Sequence, residues 1–424
     1  MKKYVLAGTG SRGLYSYIRP LTEVYGDCAK LCGIYDINRQ RAEYASKMAA
    51  YNVPVFDDWN GMLNTIKPDV AIVTTVDSTH SQYIISALES GCDAISEKPL
   101  TTDEQKLNAI YKASQKSGKK VTVTFNCRFS PIFMRVKELL KEGAIGDIYN
   151  AHYEWLLDTS HGADYFRRWH RERKNSGSLL IHKASHHFDL LNWFVNDAPE
   201  KVNAFGSRRF YGANQKSGGV NCRNCSQASK CNFYWDITKD RSCQDLYVNC
   251  ETADGYLRDK CVFSDEIDIE DTLSLNIRYK SGVSAAYSLT AHSPYEGLNL
   301  MLNGSGGRLE LRCLSESGFF AGIAESSIKI YNRYGEQVSY HIPKNHITKT
   351  MRENADIMQG MHNSGHGGSD GMLRNALFRG MSADPLGQMA DLKDGALSIG
   401  IGIAANLSMR EDRAVRLDEF IDFI

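Results

Sequence analysis

Near the start of the chain Gly8-Thr9-Gly10-Ser11-Arg12-Gly13 follows the β-like run Tyr4–Ala7 directly and opens a helical pattern. At this spacing the first glycine permits a tight turn and the second lets the backbone approach a pyrophosphate. The third allows close helix–strand packing, and the N–H groups of the helix start, around Ser11 and Arg12, face the phosphates. Asp36 closes the next β-like run, where a carboxylate accepts hydrogen bonds from the ribose hydroxyls of a dinucleotide. The order strand, glycine loop, helix, strand, acid points to NAD, because Asp36 would repel the additional phosphate of NADP. Arg39 keeps NADP open: it could stack on adenine or pair with that phosphate.

A second set of residues could move protons. Lys98, in Glu97-Lys98-Pro99, ends a later β-like run. The C-terminal edge of a parallel sheet is where open α/β folds bind ligands, and partial desolvation there lowers an ammonium pKa toward its working range. The cluster His182-Lys183-Ala184-Ser185-His186-His187-Phe188-Asp189 follows at a distance. On one helix His182, Lys183 and His186 can share a face, with Asp189 spaced to orient the His186 imidazole. Lys98 and His186 are read as the acid–base residues, and Lys183 or His182 as the group that polarises a developing carbonyl. Six of the twelve histidines lie between His152 and His187. A polar pocket is favoured over a metal site, because no carboxylate–histidine ligand set of familiar spacing accompanies them. Tyr165, Arg168, Trp169 and His170 offer aromatic faces and donors that suit the two sides of a sugar, or an interface. In Gly365-His366-Gly367-Gly368-Ser369-Asp370 the glycines would let His366 and Asp370 approach a ligand, although a surface turn reads the same way.

The elements that must position these groups follow two rhythms. Up to residue 125, β-like runs at Leu31–Tyr35, Val70–Thr74, Ala94–Ser96 and Val121–Phe125 alternate with helical stretches such as Arg39–Tyr51, Ser81–Ser90 and Asp103–Ser117. That alternation predicts βαβ units and a parallel sheet, an α/β Rossmann domain over 1–125. Beyond it lie a helix over Ser130–Gly143, strands at Ile148–Leu157, Asp271–Arg278, Val283–Leu289 and Leu298–Leu302, and a helix over Gly177–Val195. Residues 126–390 are thus expected to form an α+β domain with an open, mainly antiparallel sheet, and 391–424 a closing helix and tail. Six of the eleven cysteines crowd between Cys222 and Cys261, within an insert over 205–265. Cys222-x-x-Cys225 with Cys231 and Cys261 could hold a structural zinc, with Cys243 and Cys250 competing as fourth ligand; free thiols are the alternative.

Composition excludes other classes. Fifty Lys+Arg balance fifty Asp+Glu, which leaves no net field to attract nucleic acid or an acidic membrane. A hydrophobic content of 42% with 24% charged residues is that of a folded globular chain. The first residues lack the pattern of a secretory signal, and no window is apolar enough to span a bilayer, so a cytoplasmic protein without nucleic-acid or membrane partners is expected.

Thr75-Val76-Asp77-Ser78-Thr79-His80 followed by Glu97-Lys98-Pro99 resembles the signature of the Gfo/Idh/MocA oxidoreductases, and the resemblance runs on to Leu407-Ser408-Met409-Arg410. It implies that Lys98 faces the nicotinamide and the substrate hydroxyl, with a Lys–Pro bond that is often cis. It further implies that Thr75, Asp77, His80, Glu97 and Asn126 border the cofactor and that Arg128 joins the substrate residues. Many members place an acid and a histidine at the positions of His182 and His186; here His182 replaces the acid. That departure resembles a branch acting on glycosides and other sugar derivatives. The implied function is hydride transfer between a sugar or glycoside carbinol and nicotinamide, in a homo-oligomer. Two rivals stand beside it: a redox-neutral glycoside hydrolase that oxidises transiently and eliminates, and a regulator that senses sugar or NAD without turnover.

Overall fold

The computed structural model describes residues 1–314, 325–341, 348 and 368–423. Its strands are β1 (Lys2–Ala7), β2 (Ala29–Tyr35), β3 (Val55–Phe56), β4 (Val70–Val73), β5 (Asp93–Ser96), β6 (Val121–Val123), β7 (Ile148–Asp158), β8 (Pro199–Ser207), β9 (Thr272–Tyr279), β10 (Ser284–Ser293), β11 (Gly297–Gly304), β12 (Gly307–Leu314), β13 (Glu325–Asn332), β14 (Gln337–His341), β15 (Ala390–Asp391) and β16 (Val415–Arg416). They form two sheets. The first has the order β15-β6-β5-β4-β1-β2-β3 and the second β14-β13-β12-β11-β7-β10-β9-β8-β16.

Strands β1 to β6 pair in parallel, and only β15 runs against them. Helices cover both faces, so Tyr4–Ala7 and Val70–Val73 are apolar at every position and buried throughout. β1 lies between β2 and β4, and the crevice at its C-terminal end is the switch point of the sheet. Side-chain caps set several helix starts: Asn38 accepts from the Arg41 N–H, Asp58 from Gly61 and Asp103 from Lys106.

The second sheet is antiparallel except for the parallel pair β7–β10. Its strands alternate. Leu273, Leu275, Ile277 and Tyr279 of β9 face the core while Ser274, Asn276 and Arg278 face outward. The helix Leu392–Glu411 starts at a reciprocal capping box between Asp391 and Asp394, and it is buried nearly all round. It packs against both β6 and β8 and so ties the two sheets together. Among the described residues no helix is long and apolar enough to cross a membrane.

The expected helix over Gly177–Val195 is two helices, Leu179–His182 and Ser185–Val195. The helical pattern is interrupted at Lys183–Ala184, so His182 ends the first helix and His186 stands in the first turn of the second.

Candidate active site and dinucleotide cradle

The glycine loop leaves β1 with Gly8 at φ +91°, a conformation that side chains resist. A Cβ on Gly8 would lie 2.6 Å from the Thr74 carbonyl, and one on Gly13 would lie 2.0 Å from the Gly8 oxygen. A larger residue at either position would force the backbone to shift. Asp36 stands at the end of β2 and accepts from the Thr9 N–H at 2.7 Å, the Thr9 hydroxyl at 3.0 Å and the Asn38 N–H at 2.8 Å. The open backbone and this fixed carboxylate fit a dinucleotide.

Arg39 is turned away from Asp36: it is exposed and pairs with Glu43 and Asp57. Arg41 is the guanidinium beside Asp36, at 3.4 Å, and its side chain is nearly buried. Nothing in the sequence separated the two arginines, because the Asn38 cap fixes which of them faces inward.

Several of the residues read as cofactor or ligand contacts take part in a buried ionic network. Glu97 accepts from Arg12 Nε at 2.6 Å and from the Tyr17 hydroxyl at 2.7 Å. Burial would raise its carboxyl, but Arg12, Tyr17 and Lys98 together hold it below the usual carboxylate range. Arg12 also reaches Asp370 at 3.1 Å, and Asp370 accepts from Asn126 Nδ2 at 2.7 Å. Asp370 thus joins the glycine-loop helix, through Arg12, and Asn126 to the helix Ser369–Phe378. His366 lies outside the described residues. Arg128 grips Asp189 through Nε at 2.9 Å and Nη2 at 2.6 Å, and it meets Asp394 at 3.1 Å. This pairing takes Asp189 away from His186. His80 is buried between the Pro99 and Thr75 carbonyls, at 2.8 and 3.1 Å, and Thr75 Oγ1 accepts from Thr79 at 2.9 Å. Both hold the turn after β4.

Lys98 lies just beyond β5, before a cis Lys98–Pro99 bond, with its Nζ 3.3 Å from the His182 carbonyl. Burial pushes its ammonium down to about 8, although Asp77 and Glu97 pull the other way. His182 Nδ1 lies 2.5 Å from Asp77 Oδ2. Burial raises the Asp77 carboxyl and lowers the His182 imidazole, so each resists its own charged form and the pair shares a proton without net charge. The His182 ring also lies 4.0 Å from that of His170, which stacks on Trp169 at 3.6 Å. Burial likewise keeps His170 neutral.

Tyr165 adjoins this group, its ring 5.5 Å from His182. Its hydroxyl meets His161 Nε2 at 3.2 Å, and His161 Nδ1 meets Glu296 at 3.0 Å. Lys183 lies over the Trp155 ring at 5.1 Å, within the electrostatic reach of Tyr165 and Glu296. Although burial opposes its charge, Tyr165 and Glu296 raise its pKa, so Lys183 is a fixed cation here. Arg168 pairs with Asp164 at 2.7 Å and covers the Tyr165 ring. His186 is half-buried on the first turn of its helix, edge-on to Phe125 at 5.9 Å. Sequence reasoning missed His161 and Glu296 in this role. His161 belonged to the histidine-rich stretch, whereas Glu296 stands alone between β10 and β11 and carried no local signal.

The zinc expectation is not supported. Cys222, Cys225, Cys231 and Cys261 do line one small cavity, but Phe233, Phe263 and Arg167 line it with them. Arg167 Nη1 donates to the Cys222 sulfur at 3.1 Å, and a guanidinium there repels a dication. All the cysteines are free thiols, and among the described residues no group of three or more His, Cys, Asp or Glu side chains is arranged to hold a metal ion. The competing Cys250 is buried elsewhere, its carbonyl bonded to Asn38.

With this geometry in view, comparison with known proteins is decisive. Residues 2–125 match the oxidoreductase family model for an NAD-binding Rossmann fold, and residues 137–417 match its C-terminal alpha/beta domain. The chain belongs to the Gfo/Idh/MocA oxidoreductase family. YteT of Bacillus subtilis, described as an oxidoreductase, is 34% identical over 99% of this chain and 98% of its own length. Inositol 2-dehydrogenase of Paracoccus denitrificans is 27% identical over 46% of this chain and 54% of its own. In fold, the chain is similar to the crystal structure of an NAD binding oxidoreductase from Klebsiella pneumoniae, with a TM-score of 0.68, 16% identity, and coverage of 98% and 99% of the two chains. This Gfo/Idh/MocA member is therefore an NAD-binding oxidoreductase.

Proposed function

We propose that the protein transfers hydride between NAD and a ring carbinol of a sugar, glycoside or related cyclic polyol. The observation that carries this reading is Lys98, a half-buried amine at the edge of the parallel sheet, bonded to the main-chain carbonyl of His182, whose ring pairs with Asp77. Bound nicotinamide would supply the hydride acceptor. In the oxidative direction the neutral Lys98 amine takes the hydroxyl proton as the carbonyl forms. In the reverse direction its ammonium returns that proton. The Lys98 amine donates to the His182 carbonyl while the His182 ring holds Asp77, so His182 positions Lys98 beside a neutral pair and leaves the amine free to exchange the substrate proton. Lys183, held charged by Tyr165 and Glu296, stabilises a developing oxyanion. His186, edge-on to Phe125, is assigned the part of an assisting donor, and Tyr165, Trp169, His170 and Arg168 supply the aromatic and polar walls of a carbohydrate pocket.

A panel of sugars, glycosides and cyclic polyols, followed by nicotinamide absorbance and product chromatography, tests the reading. At least one member is expected to reduce NAD and yield the matching keto product. NADH binding without hydride transfer across the panel would overturn it in favour of a sensing role.

A further inference from the structure

The cysteine-rich insert departs from the second sheet, yet part of it lies on the first. Leu246 is fully buried in the same apolar cluster as Tyr4, Leu6 and Leu14, beneath the glycine-loop helix. Around it the segment 240–255 is fastened to the residues that surround Asp36. Arg41 bonds to the Leu246 carbonyl at 3.3 Å and to Asp254 at 2.9 Å, and Asn38 Nδ2 donates to the Cys250 carbonyl at 2.8 Å. The Tyr15 and Ser242 hydroxyls meet at 2.5 Å. At the centre, the Ser11 N–H donates to the Tyr247 hydroxyl at 3.0 Å, and that hydroxyl lies 3.7 Å from where a Gly10 Cβ would stand. The arginines Arg41 and Arg258 hold the Tyr247 ring from 5.7 and 5.5 Å.

From this arrangement we infer that segment 240–255 is a clamp over the bound dinucleotide, with Tyr247 as a pyrophosphate-binding residue. The inference rests on the NAD site described above. Ser11 and Gly10 are the positions where a glycine loop admits phosphate. A tyrosine hydroxyl there, accepting from Ser11, keeps its own proton to donate to a phosphate oxygen. Asp254 and Asn38 act as positioning residues: they fix the clamp to Arg41 and, through it, to the ribose-side carboxylate. A dinucleotide leaving the site must displace Tyr247 and disturb a segment whose Leu246 is buried in the core beneath it. Release is consequently slow, and opening of the clamp limits any cycle that exchanges free cofactor.

The test is NADH release from the full-length protein, read by fluorescence after a chase with excess NAD. Wild type is compared with Tyr247→Ala and with Asp254→Asn, a near-isosteric change at a partly exposed anchor that leaves the fold intact. Both variants are expected to release NADH at least about tenfold faster, the loss of one hydrogen bond to a charged group being sufficient. Wild-type protein passed through a desalting column is expected to retain nucleotide that Tyr247→Ala loses. Equal release rates for the three proteins would overturn the clamp while leaving the dehydrogenase reading intact. A wild type that binds no NADH would overturn both.

Discussion

At the scale of single residues, the site is organised by burial more than by charge pairing. Lys98 has an amine shifted to about 8 because water is excluded around it. The oxidative rate should therefore climb with pH, roughly tenfold per unit below about 8 and levelling above it, since only the neutral amine accepts a proton. The reductive rate should fall over the same range; flat profiles in both directions would remove Lys98 from the acid–base role. Lys98→Met should lower single-turnover NAD reduction by about 10²–10⁴-fold while NADH affinity, read by fluorescence titration, changes little. His182→Asn should slow the same step and shift the pH profile, because the neutral pair with Asp77 is broken. Wild-type kinetics in that variant would show the pair to be structural only.

At the scale of elements, the glycine loop and the helix pair around residue 183 set the geometry. Gly13→Ala places a methyl group 2.0 Å from the Gly8 oxygen. It should cost about 1–3 kcal/mol by overpacking, read as a lower melting temperature, and it should weaken NADH binding. Arg128→Ala leaves Asp189 buried without its partner, and burial already pushes Asp189 up to about 6 with Arg128 present. A loss of about 3–5 kcal/mol in denaturant unfolding is expected. These elements also mark how far the sequence was legible. The parallel strands were readable because Tyr4–Ala7 and Val70–Val73 are continuous apolar runs, and Leu273–Ile277 was readable because it alternates. The glycine loop and Asp36 carried a local signature. The break at Lys183–Ala184 did not, since the residues on either side of it favour helix. Nor were the buried partners of Arg12, Asn126, Arg128 and Asp370 legible, since each pairs with a segment distant in sequence. Glu296 and Leu246 owe their roles to contacts with distant segments, which no local pattern records.

At the scale of the whole molecule, the two sheets share their supports. The helix Leu392–Glu411 packs on both, Leu246 and Phe378 complete the apolar cluster under the first, and Arg12–Asp370 crosses between early and late segments. One cooperative transition is therefore expected in calorimetry, with calorimetric and van't Hoff enthalpies equal. Two resolved transitions would show that the sheets melt independently. The late pairing of β15 with β6, at Ala390–Val123, has a further consequence during synthesis. β6 leaves the ribosome about 270 residues before its antiparallel neighbour exists, an interval of about 13–50 s at ordinary elongation rates. Through that interval the nascent chain presents an open parallel edge, and until residues 246 and 378 have emerged it also presents the apolar surface that they cover. Such an edge is a template for wrong pairing, so a ribosome stalled before residue 390 would carry a sticky intermediate that needs chaperone shelter.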